Sequence, residues 1–180
     1  KRNGFTMLEM LIAVFIAAAM LTCTMSMLVA TLKSCDADIA QSDTDTTAVT
    51  AMQYMISDVR EANSFNILYS GSHLRVIPPV TINDGTWYYY DRTKPDTSNQ
   101  INYYLSDATG TVGQTGNCLW RSKGGSLLCI CTNVDSLLFT ADSSYTNNAI
   151  MITVRTKDQI YKGTRQTELT QRLVYLRNKT

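Results

Sequence analysis

Residues 5–32 have the sequence FTMLEMLIAVFIAAAMLTCTMSMLVATL. This stretch contains no Lys, Arg, Asp, Gly or Pro, and its one charged side chain is Glu9. As a helix rising about 1.5 Å per residue it would be roughly 40 Å long, enough to cross a hydrocarbon core of ~30 Å. The sequence therefore predicts a transmembrane helix at residues 5–32.

The two flanks of the apolar stretch differ in charge. Lys1 and Arg2 precede it, whereas the chain beyond Lys33 is acidic, with Asp36, Asp38, Asp43 and Asp45. Basic flanks stay in the cytoplasm, so the C-terminal part of the chain is predicted to lie outside it. An ordinary secretory signal has a shorter apolar region followed by a small-residue cleavage site, which does not fit this pattern.

The carboxylate of Glu9 stands inside the apolar stretch. A charged side chain in hydrocarbon costs roughly 2.5–3.5 kcal/mol on the insertion scales. Such a residue is retained where a partner or a process uses it, so Glu9 is predicted to be functional.

The segment Gly4-Phe5-Thr6-Met7-Leu8-Glu9, followed by Met10-Leu11-Ile12-Ala13, resembles the N-terminal signature of type IV pilins and pseudopilins. The resemblance implies that a prepilin peptidase cuts after Gly4 and methylates Phe5, so that residues 1–4 are a cytoplasmic leader. It also implies that Glu9 meets the N-terminal amine during filament assembly. The implied partners are the peptidase, other pilin or pseudopilin subunits, an assembly platform in the bacterial inner membrane, and membrane lipid.

Residues 33–63 are predicted to continue the helix, because they contain no Gly or Pro. A single apolar stripe is formed at steps of three and four by Val49, Met52, Ile56, Val59 and Ala62. The outward face is predicted to carry Asp43, Asp45, Gln53, Asp58, Arg60 and Glu61. This amphipathic half should pack under a sheet.

Residues 64–180 change to short runs rich in β-branched and aromatic residues, separated by Gly-, Asn- and Asp-containing turns. Strands are predicted at 65–69, 73–77, 87–90, 101–105, 118–121, 127–131, 136–140, 149–156 and 169–176. The predicted fold is α+β: a long N-terminal helix packed on an antiparallel β-sheet head of one domain.

Three short strings in the head, at 101–105, 118–121 and 173–178, are similar to the later strands of minor pilins and J-type minor pseudopilins. This resemblance implies a minor rather than an abundant major subunit. The K-type tip subunit usually lacks the carboxylate, so Glu9 argues against that identity.

Three cysteines of the head lie close together in sequence. If Gly124-Gly125 forms a two-residue hairpin turn, the numbers of facing residues sum to 249, which pairs Cys118 with Cys131. The same sum pairs Trp120 with Cys129. We therefore predict a Cys118–Cys131 disulfide, with Cys129 as the diagonal competitor for Cys118. The alternative is a three-thiolate metal site, but no nearby His or fourth Cys completes the usual ligand set.

Neither catalysis nor nucleic-acid binding is predicted. His73 is the only histidine, it has no accompanying serine elbow or second His, and it is interpreted as a surface strand residue. With Lys+Arg 16 against Asp+Glu 15 and no basic stripe, nucleic acid is not expected as a partner. No cofactor and no metal are expected. The aromatic run from Trp87 to Tyr90 is either a patch for a partner or glycan, or a strand packed on the core.

Two functions remain after these observations. The first is a structural subunit of a type IV pilus or type II secretion pseudopilus. The second is a membrane-anchored extracytoplasmic binding protein or adhesin whose head acts alone. Glu9 favours the first function, because a simple anchor gains nothing from a carboxylate within its apolar helix.

Processing provides the first test. We expect the mature chain to begin with N-methyl-Phe5, because Gly4 and the basic leader present the cleavage site of the peptidase. Mass analysis of the N-terminal peptide from membrane-extracted protein measures this directly. A chain that keeps residues 1–4 in cells possessing the peptidase would contradict the resemblance.

Overall fold

The computed structural model describes residues 6–85, 87–141, 148–160 and 163–176. The predicted processing residues Gly4 and Phe5 lie outside this part of the chain. The described part has one long helix followed by strands, which confirms the predicted α+β class. Helix α1 spans Met7–Glu61, and a 3-10 turn spans Tyr69–Gly71. The strands are β1 Ser64–Leu68, β2 His73–Ile77, β3 Pro79–Asn83, β4 Tyr88–Pro95, β5 Ile101–Ser106, β6 Cys118–Lys123, β7 Ser126–Cys131, β8 Val134–Ala141, β9 Ala149–Ile160 and β10 Gly163–Tyr175.

Helix α1 has 55 residues and is roughly 80 Å long at the usual rise per residue. It begins after the N-cap Thr6 and ends at the C-cap Ala62, whose N–H donates to the carbonyl of Val59. No Gly or Pro occurs within it, so the backbone ladder runs unbroken from the apolar half into the amphipathic half.

The strands of the described chain form three antiparallel sheets rather than the single sheet predicted. The order is β1-β2-β5-β6-β7 in the first sheet and β10-β9-β8 in the second, while β3 and β4 form a separate hairpin. Strand β3 was not predicted from the sequence. Proline is tolerated here because it stands at the first residue of the strand.

The core lies between α1 and the two larger sheets. Its fully buried members include Tyr103 and Leu119 from the five-stranded sheet and Phe139, Ile152 and Val154 from the three-stranded sheet. Burying each large apolar side chain contributes roughly 1.5–3 kcal/mol, so this layer is the main source of the head's stability.

The buried face of α1 differs from the predicted stripe. Val49 is 43% exposed, whereas Ala48, Ala51 and Met55 are fully buried. The inward positions are Ala40, Thr44, Ala48, Ala51, Met52, Met55 and Val59. Small side chains let strand β9 approach closely, and the Thr156 hydroxyl donates to the Thr44 carbonyl at 3.0 Å. A stripe defined by large apolar residues misses a face built on Ala and Thr.

The β6–β7 hairpin follows the predicted register over most of its length. Gly124 and Gly125 have φ of 55° and 85°, as a two-residue turn with both central residues at positive φ requires. The facing pairs run from Lys123 with Ser126 to Trp120 with Cys129 as predicted.

A bulge then shifts the hairpin register, so that Leu119 rather than Cys118 faces Cys131. The predicted register is therefore confirmed at Cys129 and wrong at Cys118 and Cys131, because one extra residue on β7 moves every pairing beyond Trp120 by one position. The disulfide itself stays a prediction, but the alignment that selected Cys131 as the partner of Cys118 no longer supports it.

His73 is buried, contrary to the predicted surface position. Its ring lies 5.5 Å from the Tyr69 ring and 5.4 Å from the Tyr104 ring, and Nε2 hydrogen-bonds Asn102 Oδ1 at 3.4 Å. Burial lowers the pKa of His73, the Asn102 hydrogen bond partly offsets this, and the charge of Arg75 lowers it further.

The head should therefore lose stability as pH falls through about 6.5, the ordinary His value. Below that pH the unfolded chain binds a proton that the buried, neutral His73 resists, so acid favours unfolding. Urea unfolding of the detergent-solubilised chain between pH 7.5 and pH 5, followed by Trp fluorescence, measures this dependence. Because His73 is the only histidine, His73→Gln should flatten the profile in this range. An equally steep profile in the variant would assign the pH dependence to other groups.

Candidate functional site

Every residue from Thr6 to Asp36 is exposed, although most of this segment is apolar. Its mean hydropathy reaches 2.3 over an 18-residue window, of which nothing is buried. Contiguous exposed apolar surface of this size marks an interaction with a membrane or with other proteins. By length and composition, α1 is able to cross a membrane.

The hydroxyl groups within this apolar segment bond to the helix itself. Four of them donate to a backbone carbonyl three or four residues earlier: Thr22 to Ala19 at 2.8 Å, Thr24 to Leu21 at 3.0 Å, Ser26 to Thr22 at 2.6 Å and Thr31 to Met27 at 2.9 Å. Hydrocarbon offers no water as a partner, so these internal bonds make the hydroxyls compatible with lipid.

Glu9 closes the N-terminus of α1 through a capping box. Its Oε2 accepts from the Thr6 backbone N–H and from the Thr6 hydroxyl, both at 2.8 Å, and the Glu9 N–H donates to Thr6 Oγ1 at 3.3 Å. Two otherwise unpaired helix-start donors are thereby satisfied. The spacing Thr6-x-x-Glu9 is the sequence signature of such a box, and it could have predicted this second role of Glu9.

The head is fastened to the last turns of α1 by a polar contact that the sequence analysis missed. Asp58 was predicted on the outward face, but Arg121 of β6 binds it with two hydrogen bonds, Nε to Oδ2 at 2.7 Å and Nη2 to Oδ1 at 3.1 Å. The Tyr103 hydroxyl of β5 donates to the same carboxylate. The two ionic side chains are only 16–18% exposed.

The charge states of this contact follow from its geometry. The hydrogen bonds to Asp58 raise the pKa of Arg121 above its usual range, and burial together with the Asp58 charge raises that of Tyr103. Arg121 therefore stays a cation and Tyr103 a neutral donor at any physiological pH. A bidentate Arg–carboxylate pair of this kind adds geometric specificity as well as energy to the contact between helix and head.

The β3–β4 hairpin presents exposed aromatic side chains. Trp87 is 73% exposed, Tyr88 77% and Tyr90 64%, which excludes the predicted alternative of a strand packed on the core. At its base is a cavity of about 530 Å³ lined by residues of α1, β3, β4, the following loop, β5 and β6, among them Asp58, Tyr90, Arg92, Asp96 and Lys123. The lining combines an aromatic ring with charged side chains of both signs.

Comparison with known proteins supports the N-terminal assignment. A family model described as the prokaryotic N-terminal methylation motif matches residues 1–22. No curated protein and no solved structure matches the chain. The motif and the exposed apolar helix together indicate a type IV pilin-like, membrane-inserted protein, and the motif points to a structural family. They fit anchorage in the inner membrane, and the signature implies processing by prepilin peptidase and assembly with other pilin subunits.

The Asp58–Arg121 contact generates a stability prediction. Asp58→Ala should lower the free energy of unfolding of the head by about 2–3 kcal/mol, because it leaves the mostly buried Arg121 cation without its carboxylate. This is less than the roughly 3–5 kcal/mol for a fully buried pair, since both side chains keep some exposure. Asp58→Ala/Arg121→Ala should cost less than the two single changes together, since the orphaned charge is gone. Urea unfolding of the solubilised chain measures all three.

A matched control is Glu168→Ala, which breaks an ion pair with Arg155 whose side chains are 41–46% exposed. Its expected cost is below about 1 kcal/mol, because solvent screens exposed pairs. Equal losses from Asp58→Ala and Glu168→Ala would contradict the special role of the helix–head contact.

Proposed function

We propose that this protein is a minor structural subunit of a type IV pilus or of a type II secretion pseudopilus. In this proposal residues 5–32 form a single transmembrane span before assembly, and the head of residues 64–180 lies outside the cytoplasm. The assembly platform of the inner membrane would then transfer the helix from lipid into a bundle of neighbouring subunit helices. The observation that carries the proposal is a carboxylate, Glu9, in the first turn of an exposed apolar helix that carries the methylation motif.

The chemistry of Glu9 fits an inter-subunit contact. Both hydrogen bonds from Thr6 end on Oε2, so Oε1 takes no part in the capping box. Cleavage after Gly4 would create a methylated amine at Phe5, and the amine of one subunit would pair with the Glu9 of a neighbour in the bundle. Pairing the two charges offsets two desolvation costs that each would otherwise bear alone in an apolar environment.

The subtype is proposed from the head of the chain. The resemblance of the head strings to minor pilins and J-type pseudopilins favours a minor subunit. Secretion, adhesion, motility and DNA-uptake systems all use subunits of this design. The system to which a subunit belongs is determined by the proteins with which it assembles. Neighbouring genes for a secretin, an assembly ATPase and further signature-bearing subunits would decide among them.

Substitution at Glu9 tests the assembly role. Glu9→Gln keeps an oxygen that accepts from the Thr6 N–H but removes the negative charge, so the helix start should survive while incorporation into filaments falls at least tenfold. Removing the charge also eases membrane insertion, so poor insertion would not explain the loss. Incorporation is measured by subunit crosslinking and by quantifying the chain in sheared filaments.

The control for helix capping is Thr6→Ala, which removes the capping hydroxyl and keeps the charge. It should assemble within about twofold of the unmodified chain, because a lost cap costs only about 1 kcal/mol. If Glu9→Gln assembles normally, or if Thr6→Ala fails equally, the charge of Glu9 has no special role in assembly.

A second function, a head that binds its target while the helix serves only as an anchor, is favoured by the exposed aromatic hairpin and its polar cavity. The same experiment separates the two functions. An anchored binding protein would keep its target binding in Glu9→Gln and lose it in the double variant Tyr88→Ser/Tyr90→Ser. Both tyrosine side chains are exposed, so replacing them should leave the fold intact. A filament subunit would show the opposite order.

A further inference from the structure

Simple strand alternation would place Cys129 and Cys131 of β7 on the same face of the sheet. The bulge in the β6–β7 hairpin places them on opposite faces. Leu119 faces Cys131, and both belong to the buried core. Trp120 faces Cys129, and successive side chains of a strand point to opposite faces. Cys129 therefore lies on the outer face of the sheet, and Cys131 on the core face.

Cys118 lies on the outer face with Cys129. It stands two residues before Trp120, so strand alternation gives the two side chains the same face. That face is covered by the loop after β5: the Trp120 ring packs on Gly110, and its Nε1 donates to the Asp107 carbonyl at 2.9 Å. Under this cover the Cys118 thiol donates to Asn117 Oδ1 at 3.9 Å and the Cys129 thiol to the Cys131 carbonyl at 3.6 Å. Burial and the neighbouring Cys118 thiol raise the pKa of Cys129.

Cys131 is in a different environment. It is 8% exposed and packs in the core with Leu119. Burial, together with the neighbouring thiols of Cys129 and Cys118, raises the pKa of Cys131 to about 12. The thiolate is the reactive form of cysteine, so Cys131 is almost entirely the unreactive thiol at neutral pH. Cys129 is the more exposed of the three and the natural point of attack.

We propose that the oxidisable pair of the head is Cys118 with Cys129, and that Cys131 remains a buried thiol. This pairing replaces the one predicted from the unbulged register. Its formation in cells rests on the proposed export of the head, because oxidising compartments lie outside the cytoplasm.

The oxidant belongs to the class of external disulfides, either a small molecule or a protein. The Cys129 thiolate attacks one sulfur of that disulfide, which breaks its S–S bond, forms a mixed disulfide and releases the first external thiol. The Cys118 thiolate then attacks the Cys129 sulfur and releases the second. The two protein thiols lose two electrons and two protons, which the external disulfide gains on becoming two thiols.

The bond would join strand β7 to the neighbouring strand β6. Strand β7 is at one edge of the five-stranded sheet, and Leu127 and Leu128 on it are about half exposed. An edge strand with exposed apolar side chains is a template for unwanted strand pairing when it frays. A covalent link to β6 opposes that fraying.

The test uses the full chain in detergent with Cys23→Ser and Cys35→Ser, which removes the cysteines of the apolar helix and its end. The reduced protein is incubated with oxidised glutathione, alkylated and digested with trypsin. Cleavage after Arg121 and Lys123 separates Cys118 from the other two cysteines, so only a disulfide holds the fragments together. Fragmentation between Cys129 and Cys131 identifies the partner.

We expect a Cys118–Cys129 link with alkylated Cys131 as the main product. Cys131→Ser should keep the link at its original yield, and Cys129→Ser should reduce linkage of Cys118 at least tenfold. A Cys118–Cys131 or Cys129–Cys131 link in the unsubstituted hairpin, or three alkylated thiols, would overturn the proposal. Cys131→Ser keeps the test decisive if Cys129→Ser fails to fold.

The same mapping on protein taken directly from cells tests a separate point. A Cys118–Cys129 link in cells supports both the pairing and the exported position of the head. A link that forms with glutathione but is missing from cells supports the pairing and counts against the export on which the proposed function depends.

Discussion

The unbroken series of backbone hydrogen bonds in helix α1 has to hold in two environments, hydrocarbon and the packed head. In hydrocarbon every backbone polar group has to be satisfied within the segment, whereas in the head the same ladder has only to present an apolar face to the sheets. The sequence meets both demands by excluding Gly and Pro from Met7 to Glu61 and by bonding the helix hydroxyls to their own backbone. The head's core, the Asp58 contact and the position of Glu9 all depend on that continuity.

The elements of this fold were predictable where local physics decides them. The long helix follows from the absence of breakers, and the β6–β7 turn follows from Gly124-Gly125, since few other residues adopt positive φ at both positions. The predicted strands were found wherever β-branched and aromatic runs were bounded by turn residues. The methylation signature was predicted from residue order alone and is confirmed by the family model.

The errors share a different cause, which is packing between elements distant in sequence. The sequence places Asp58 on the outward face of the helix, but in the fold Arg121 of β6 binds it. The sequence likewise suggests that His73 is at the surface, but in the fold it packs against the rings of Tyr69 and Tyr104. The register of Cys131 depends on a bulge that no residue type in the hairpin predicts. For the candidate site, the sequence therefore identified Glu9 from its apolar surroundings. It did not identify the contact between Asp58 and Arg121 that joins helix and head.

The short interval between the apolar run and the first buried helix residue has a geometric consequence. Leu32 ends the run and Ala40 is the first helix residue buried against the head, a separation of roughly 12 Å along the axis. The polar headgroup layer on each side of a bilayer is only about 5–7 Å thick. If Leu32 stands at the edge of the hydrocarbon, the described part of the head first covers α1 at the partly buried Ala37, about 7.5 Å further along the axis. That distance matches the thickness of the headgroup layer, so the lipid headgroups would lie within reach of this end of the head.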